Sequence, residues 1–364
     1  LLNRKIEFLP SKQEIERRQI NKIGFTRPEL CVMLAYAKMD IYNSIVNSDF
    51  INDEYFESEL FAYFPKLMQE KFKKEIKGHQ LRKEIIATQI TNLVVNRAGI
   101  TFISQICQDS GFSVPDVVRS FIIACDSFRL REVWEEIEGL TGKVSPEVQY
   151  QMFLNSNKLL ERSITWLLRH QAKGSISKNV ERFRKIADEL LGILSKVMAS
   201  ASQESFERKV ERYCGNNVDR KLATKVASMD PLASAFDIAE ISAESKFDIE
   251  VIAKLYFAVG TRFSLKWLRS RVSNMTFENQ WQRLSSKTIL EDIYTYQMKI
   301  SKLVVEFNHG KKDICENKSI ENWVESVSFL VERFDNFISE LKMNPNPDIS
   351  VFVVALNRLK PLVG

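Results

Sequence analysis

Histidine, glycine and cysteine are scarce in this 364-residue sequence, and their placement excludes several classes of site. His79, His170 and His309 are far apart and form neither H-E-x-x-H nor H-x-x-x-H, so a zinc-hydrolase site is not predicted. The 12 glycines never form G-x-G, the turn that admits a dinucleotide pyrophosphate. Neither a Walker loop nor a G-x-S-x-G elbow occurs. We therefore predict no catalytic, cofactor-binding or metal-binding residue in this chain.

The five cysteines are scattered and never spaced C-x-x-C: they are Cys31, Cys107, Cys125, Cys214 and Cys315. This pattern favours reduced thiols over a disulfide or zinc framework. No uninterrupted apolar run reaches the roughly 18 residues that a membrane helix needs. Residues 1–12 lack the order of a signal peptide, and the chain begins at Leu1. We expect a piece of a longer cytoplasmic protein that does not enter membranes.

Charge is nearly balanced, with 52 basic and 47 acidic residues and a net charge of +5. One segment, 66–83, matches this excess, because its lysines and arginine outnumber Glu70 and Glu75. Such segments are usually solvated helix faces, and docking between proteins is the alternative. Nucleic-acid binding is not favoured, because the aromatic platform and glycine-rich motifs of an RNA-binding protein are missing. The basic residues of this segment are Lys66, Lys71, Lys73, Lys74, Lys77, Arg82 and Lys83.

What the sequence does contain is helical periodicity along nearly its whole length, so we predict an all-α, multi-helix body. Helix starts are predicted at Ser113, Ser145 and Asp230, where a capping side chain precedes a proline. Breaks are predicted where turn residues cluster, at 173–175, 214–217, 308–310 and 344–347. Segment 350–360 is ambiguous: Val351 to Val354 favour a strand, but Leu356 and Leu359 continue a helical stripe.

Segment 26–45 has the clearest helix start. Thr26 can cap the first turn while Glu29 reaches back to it, and Pro28 lies in that turn. The apolar stripe Leu30, Leu34, Ala37, Ile41 and Ile45 is predicted to be buried. Lys38 and Asp40 point away from each other on a helix and are interpreted as ordinary helix residues, not as a catalytic pair.

Segment 85–108 carries a single charge, Arg97, and predicts a helix pair enclosed by protein. Leu93, Ile100 and Phe102 are expected in the core. The amides of Asn92 and Asn96 are expected to be hydrogen-bonded in a structural network; alternatively, Asn92, Asn96 and Arg97 contact a catalytic region. The tryptophans are expected in the core rather than in substrate cages: Trp134, Trp166, Trp267, Trp281 and Trp323.

Residues 99–170 resemble residues 234–305. A shift of 135 places Phe121 on Tyr256 and Phe128 on Phe263, with apolar positions matching between them. Amphipathic helices also match by chance, so the alternative is a coincidence of periodicity. A true duplication would make the two segments copies of one helical unit.

Several short stretches of the sequence resemble the C-terminal part of the large, bacterial type of NAD-dependent glutamate dehydrogenase. The resemblance covers nearly the whole chain, is strongest over residues 1–105 and looser after residue 305. The stretches that carry it are 2–11 (LNRKIEFLPS), 26–40 (TRPELCVMLAYAKMD), 81–89 (LRKEIIATQ), 92–102 (NLVVNRAGITF), 236–238 (FDI), 256–260 (YFAVG) and 267–269 (WLR).

By this resemblance, the catalytic dehydrogenase region lies upstream, and its catalytic residues have no counterpart here. Residues 1–78 would follow that region, and residues 79–364 would form a helical C-terminal domain. The resemblance implies a parent enzyme that oxidatively deaminates L-glutamate with NAD. This chain would then be a scaffold that packs on the dehydrogenase region, sets domain closure or assembles a homo-oligomer.

Two alternatives stay open at this point. The first is an autonomous helical interaction module with basic docking faces, which a broad exposed apolar patch would favour. The second is an enzyme with a motif-free active site, which a deep pocket lined by ionisable groups would favour.

Overall fold

The computed structural model describes residues 7, 9–171, 174–277, 279–308 and 316–364. Within these residues every regular element is a helix and no strand is found, which confirms the all-α prediction. Among them, no helix is long and apolar enough to cross a membrane. His309, Gly310, Cys315 and Lys173, which figured in the sequence predictions, and most of stretch 2–11 lie outside the described residues.

The α-helices, in chain order, are α1 (Lys12–Ile20), α2 (Arg27–Val46), α3 (Glu57–Tyr63), α4 (Lys66–Lys71), α5 (Lys73–Lys77), α6 (Arg82–Ala98), α7 (Ile100–Ser110), α8 (Val114–Ser127), α9 (Leu130–Glu138), α10 (Pro146–Arg169), α11 (Ile176–Val197), α12 (Ser200–Cys214), α13 (Arg220–Leu232), α14 (Ala235–Ser245), α15 (Ile249–Arg262), α16 (Leu265–Ser273), α17 (Gln280–Phe307), α18 (Glu316–Ser326), α19 (Ser328–Met343) and α20 (Ile349–Leu359).

The chain divides into two compact units. The first comprises the described residues of 1–123 and 167–179, and the second comprises those of 124–166 and 180–364. This division differs from the boundary predicted after residue 78, because α2 and α3 both pack against α6. A functional boundary at residue 78 stays a prediction.

In the first unit, α6 and α7 form the predicted helix pair, joined at Gly99. Gly99 has φ of 90°, a conformation that side-chain-bearing residues rarely adopt. The pair is not enclosed as predicted. α6 buries one face, whereas α7 buries only Ile103 and Ile106. Leu93, Ile100 and Phe102 are half-buried rather than in the core, because they lie beside the buried stripes and not on them.

In the second unit, α17 is the longest helix and packs against α14, α15, α16, α18 and α20. Segment 350–360 is helical: α20 buries Phe352, Ala355, Leu356 and Leu359, which share one helix face. The helix start predicted at Asp230 is wrong. The apolar stripe of α13 continues through this point, so Pro231 lies inside the helix, next to its last residue, and removes one backbone hydrogen bond there.

Helix bounds in the two similar segments correspond closely. Shifting α7, α8 and α9 by 135 residues gives the bounds of α14, α15 and α16. The left-handed residue before α9, Arg129 (φ 51°), corresponds to Ser264 (φ 54°) before α16. Phe121 and Tyr256 are both fully buried. Phe128 is half-buried while Phe263 is fully buried, so this pair differs. A duplication of residues 99–170 as 234–305 stays a prediction.

Candidate functional site

A buried ionic network lies at the centre of the second unit. Asp237 on α14 accepts hydrogen bonds from Trp166 Nε1 at 2.7 Å and from the Tyr256 hydroxyl at 2.8 Å. Arg162 on α10 lies 3.2 Å from the same carboxylate and 3.0 Å from Glu291 on α17. Side chains from four helices, α10, α14, α15 and α17, thereby meet in one network.

Opposite effects act on the charges of this network. Burial works to lower the pKa of Arg162, but the attraction of Glu291 and Asp237 outweighs it, so the pKa is raised. Burial and the neighbouring Asp237 raise the pKa of Tyr256 well above its ordinary value. Arg162 is therefore a permanent cation and Tyr256 a permanent hydrogen-bond donor at physiological pH.

A second layer of contacts surrounds the network. Arg269 Nη1 donates to Gln297 Oε1 at 2.7 Å, and Gln297 Nε2 donates to the carbonyl of Tyr256 at 2.9 Å. An added Cβ at position 260 would lie 2.6 Å from Gln297 Nε2, so any other residue there would displace the Gln297 amide that bonds to Arg269 and Tyr256. This contact gives a physical reason for the glycine in the stretch 256–260.

Three of the stretches that carry the family resemblance meet at this network, through Asp237, Tyr256, Gly260 and Arg269. Sequence reasoning missed their partners: Arg162, Trp166, Glu291 and Gln297 lie in ordinary-looking helical segments. The available signal was spacing: Arg162 follows Leu159 by three residues and precedes Trp166 by four, which places a charge on an apolar helix stripe.

This network is closed to solvent. Asp237 is 1% exposed and Arg162 is 8% exposed, and the Asp237 oxygens are occupied by three side chains. A substrate could not reach it without opening the unit. The geometry indicates a structural role, in which charged groups with defined partners select one packing of α10, α14, α15 and α17.

The surface of α2 has the opposite character. Residues 30–37 (LCVMLAYA) are an unbroken apolar run, which covers all sides of a helix. None of residues 27–40 is buried. The exposed large apolar side chains of this helix, which we call the α2 surface, are Leu30 (43%), Met33 (40%), Leu34 (46%) and Met39 (45%).

The prediction that the apolar stripe of α2 is buried is therefore only partly confirmed. Ile41 and Ile45 are buried against the first unit, but Leu30 and Leu34 are exposed. α2 packs against α6 and α7, and both of its buried residues lie in its last two turns. A helix that is apolar on all sides is normally covered by protein, so the α2 surface indicates a binding face.

The start of α2 is held firmly in spite of this exposure. The predicted capping box is present, with the Thr26 amide donating to Glu29 Oε2 at 2.7 Å. Arg18 on α1 donates to both carboxylate oxygens of Glu29, at 2.9 and 3.1 Å. The bond from Thr26, and after it the bond from Arg18, lowers the pKa of Glu29. These contacts preorganise the helix that presents the α2 surface.

The basic stretch of the first unit is exposed as well. Lys71, Lys73 and Lys74 are exposed and form no ion pair with any residue in the described part of the chain. Lys77 pairs with Glu57 at 2.7 Å. Leu67 and Phe72 in the same stretch are also exposed, at 63% and 47%. The stretch thus combines unpaired lysines with uncovered apolar side chains.

The remaining sequence-predicted residues do not form a site. Asp40 is exposed and Lys38 half-buried on α2, as expected for ordinary helix residues. Asn96 is exposed and Asn92 half-buried; among the described residues neither side chain has a hydrogen-bond partner, so the predicted polar network is wrong. Arg97 is half-buried.

The tryptophans were only partly predicted correctly. Trp134, Trp166 and Trp323 are buried, as predicted. Trp267 is half-buried, and Trp281 is 76% exposed, because it lies in the first turn of α17, ahead of that helix's buried residues.

The histidines and cysteines are dispersed. His79 accepts a hydrogen bond from the Leu81 amide at 3.1 Å, and His170 is exposed. The four cysteines within the described ranges are free thiols. No group of three potential metal ligands occurs among the residues that the structure describes.

Comparison with known proteins identifies relatives over the whole chain. A family model described as "Glutamate dehydrogenase, C-terminal" matches residues 22–361. The NAD-specific glutamate dehydrogenase of Pseudomonas aeruginosa is 31% identical over 364 residues, and that of Halomonas elongata is 28% identical over 361 residues. The protein of the same name from Mycobacterium tuberculosis is 26% identical over 360 residues. Each match covers 99% of this chain and 22% of the relative.

Proposed function

We propose a function from the premise that this chain belongs to the glutamate dehydrogenase C-terminal family. The chain spans 22% of the length of the relatives it matches, so most of the sequence of each relative lies outside the matched region. We infer that it is the non-catalytic, helical C-terminal region of an NAD-dependent glutamate dehydrogenase. In that enzyme, an upstream region would bind NAD and convert L-glutamate to 2-oxoglutarate and ammonia.

The observation that carries the proposal is the α2 surface. Four large apolar side chains on one preorganised helix are 40–46% exposed, although residues 30–37 of this helix are apolar on all sides. The occupant that we propose for this surface is the upstream dehydrogenase region of the same protein. Covering such side chains contributes about 25 cal/mol for each Å² removed from water. The chain would thereby act as a scaffold for that region in a cytoplasmic homo-oligomer.

Hydrogen exchange would test where α2 is covered. Amides 30–40 should exchange more slowly in the whole enzyme than in the 364-residue chain, because docking suppresses local opening of α2. Amides of α15, which is already buried in the second unit, should show no such difference and serve as the control. Equal exchange of α2 in both proteins would contradict docking at this surface.

Substitutions would test whether docking matters to the enzyme. Leu30→Ser combined with Leu34→Ser should lower glutamate dehydrogenase activity and loosen assembly of the whole enzyme. The matched control is Phe329→Ser with Met343→Ser, which removes apolar side chains that are 75% and 76% exposed on the second unit. Full activity in the α2 variant, or equal losses in both variants, would argue against the α2 surface.

The basic stretch supports the second candidate function, an interaction module that docks through charge. Lys71→Glu, Lys73→Glu and Lys74→Glu together should weaken assembly in a salt-dependent manner if these lysines meet an acidic surface. Lys77 is left unchanged because it pairs with Glu57. Unaltered assembly and activity at low salt would identify the stretch as a solvated face.

A further inference from the structure

A group of five cationic side chains gathers in the second unit. We call it the basic cluster; it consists of Lys158 on α10, Lys209 and Arg212 on α12, and Lys266 and Arg269 on α16. Lys209 donates to Asn155, which lies one turn before Lys158 on α10. Arg269 covers the same Tyr294 ring as Arg162, which lies one turn after Lys158. Arg212 and Lys266 lie one turn from Lys209 and Arg269 on their own helices. Three helices therefore bring like charges together.

Acidic side chains do not neutralise the basic cluster. Asp230 is the acidic group within range of both Lys209 and Lys266. Among the residues that the structure describes, Lys158, Lys209, Arg212 and Lys266 form no ion pair. Other lysines of the same unit differ: Lys225 lies 2.6 Å from Glu136, and Lys302 lies 2.7 Å from Glu244.

Hydrogen bonds orient two members of the cluster. Lys209 Nζ donates to Asn155 Oδ1 at 3.4 Å, and Asn155 Nδ2 donates to the Tyr213 hydroxyl at 2.8 Å. The guanidinium of Arg269 lies 4.4 Å from the ring centroid of Tyr294 and donates to Gln297. Lys158 and Lys266 are exposed, so the cluster opens to solvent.

Holding these charges together opposes folding. Partial burial lowers the pKa of Lys209, and repulsion from Lys158, Arg212 and Lys266 lowers it further against the attraction of Asp230. Five cationic groups therefore lie close together with one nearby carboxylate, Asp230, to balance them. Such an excess of positive charge is typical of a site that binds an external anion.

We propose that the basic cluster binds a small polyanion, a molecule with two or more carboxylate or phosphate groups. Arg212 and Arg269 supply planar forks that suit either group, and the lysines supply point charges. A nucleic acid is a poorer fit, because Tyr213 is buried and the Tyr294 ring is covered by guanidinium groups, so neither can stack on a base.

Titration calorimetry with pyrophosphate and with 2-oxoglutarate, each at millimolar concentration and constant ionic strength, would test the site. Saturable binding of pyrophosphate alone assigns a phosphate ligand, and binding of 2-oxoglutarate alone assigns a dicarboxylate. Near the lowered pKa of Lys209, binding should be accompanied by proton uptake. This uptake appears as a dependence of the measured heat on the ionisation heat of the buffer.

The double variant Lys209→Met with Lys266→Met should bind about tenfold to a hundredfold more weakly, as expected for lost charge-assisted hydrogen bonds. The matched control is Lys225→Met with Lys302→Met, which removes two paired lysines and should bind like the unchanged protein. Circular dichroism would verify that both variants are folded. Absence of saturable binding for both anions, or equal affinity in the two double variants, would overturn the proposal.

Discussion

α2 and α15 are both rich in apolar residues, yet the structure covers them very differently. α15 has 14 residues and buries Ile252, Ala253, Leu255, Tyr256, Val259 and Gly260. α2 has 20 residues and buries only Ile41 and Ile45. The apolar content of a helix therefore indicates how much of its surface should be covered by protein. It does not indicate whether the covering surface lies in the same unit or elsewhere.

The largest expected effect is the loss of stability when the buried ionic network of the second unit is broken. Asp237→Ala should destabilise the second unit by about 3–5 kcal/mol, because it leaves the buried cation Arg162 without one of its carboxylate partners. Denaturant unfolding would measure the loss. Asp188→Ala is the control, since its pair with Arg129 is about half exposed and should contribute less than about 1 kcal/mol. Similar losses in both variants would show that the network is not a centre of stability.

A smaller effect separates a core phenylalanine from a half-buried one in the first unit. Phe121→Ala should cost about 3–5 kcal/mol through lost burial and a residual cavity. Phe102→Ala should cost less than about 2 kcal/mol, because part of its ring is already in water. Thermal and denaturant unfolding of both variants would check this order. A reversed order would mean that α7 is more deeply packed than the structure shows.

A still smaller change in stability is expected for the exposed side chains of α2. In the 364-residue chain, Leu30→Ser with Leu34→Ser should change the free energy of unfolding by less than about 0.5 kcal/mol per site, since both side chains are already exposed. The same pair should reduce activity in the whole enzyme. A loss above about 2 kcal/mol in the chain alone would show that α2 is already packed and that the contrast with α15 is wrong.

The smallest effect concerns pH and Lys209. Its pKa is lower in the folded than in the unfolded chain, so the unfolded chain binds more protons between the two pKa values. Stability contributed by this residue should therefore rise as pH increases through that alkaline interval. Lys209→Met should remove this rise and make the protein slightly more stable at neutral pH. Melting temperatures across the alkaline range, with Lys225→Met as the control, would measure it.

Local features were predictable because local forces produce them. The capping box at Thr26 and Glu29, the break at 344–347 and the apolar spacing that made 350–360 helical all depend on residues within two turns of each other. The same reasoning correctly favoured an all-α fold. It failed at Asp230-Pro231, where a capping pattern lies inside a continuing apolar stripe.

The family resemblance was also visible in the sequence, and the family model confirms it. Stretches such as 256–260 carried that resemblance, but the sequence alone did not show why these residues are needed. The structure supplies one: Gly260 admits the side chain of Gln297, and Tyr256 donates to Asp237. No periodicity argument could pair these residues, because their partners lie on other helices.

By itself, then, the sequence determined that the chain is helical, how apolar each helix is and to which family the chain belongs; it also indicated helix ends where the capping residues and turn residues act locally. Only the tertiary structure decided that Arg162 meets Asp237 and Glu291, which lie 75 and 129 residues further along the chain. It also decided that Leu30 and Leu34 stay exposed while Ile41 and Ile45 are buried. The physical reason is that helix formation is governed by neighbours within a few residues, whereas burial depends on which distant surfaces are brought together.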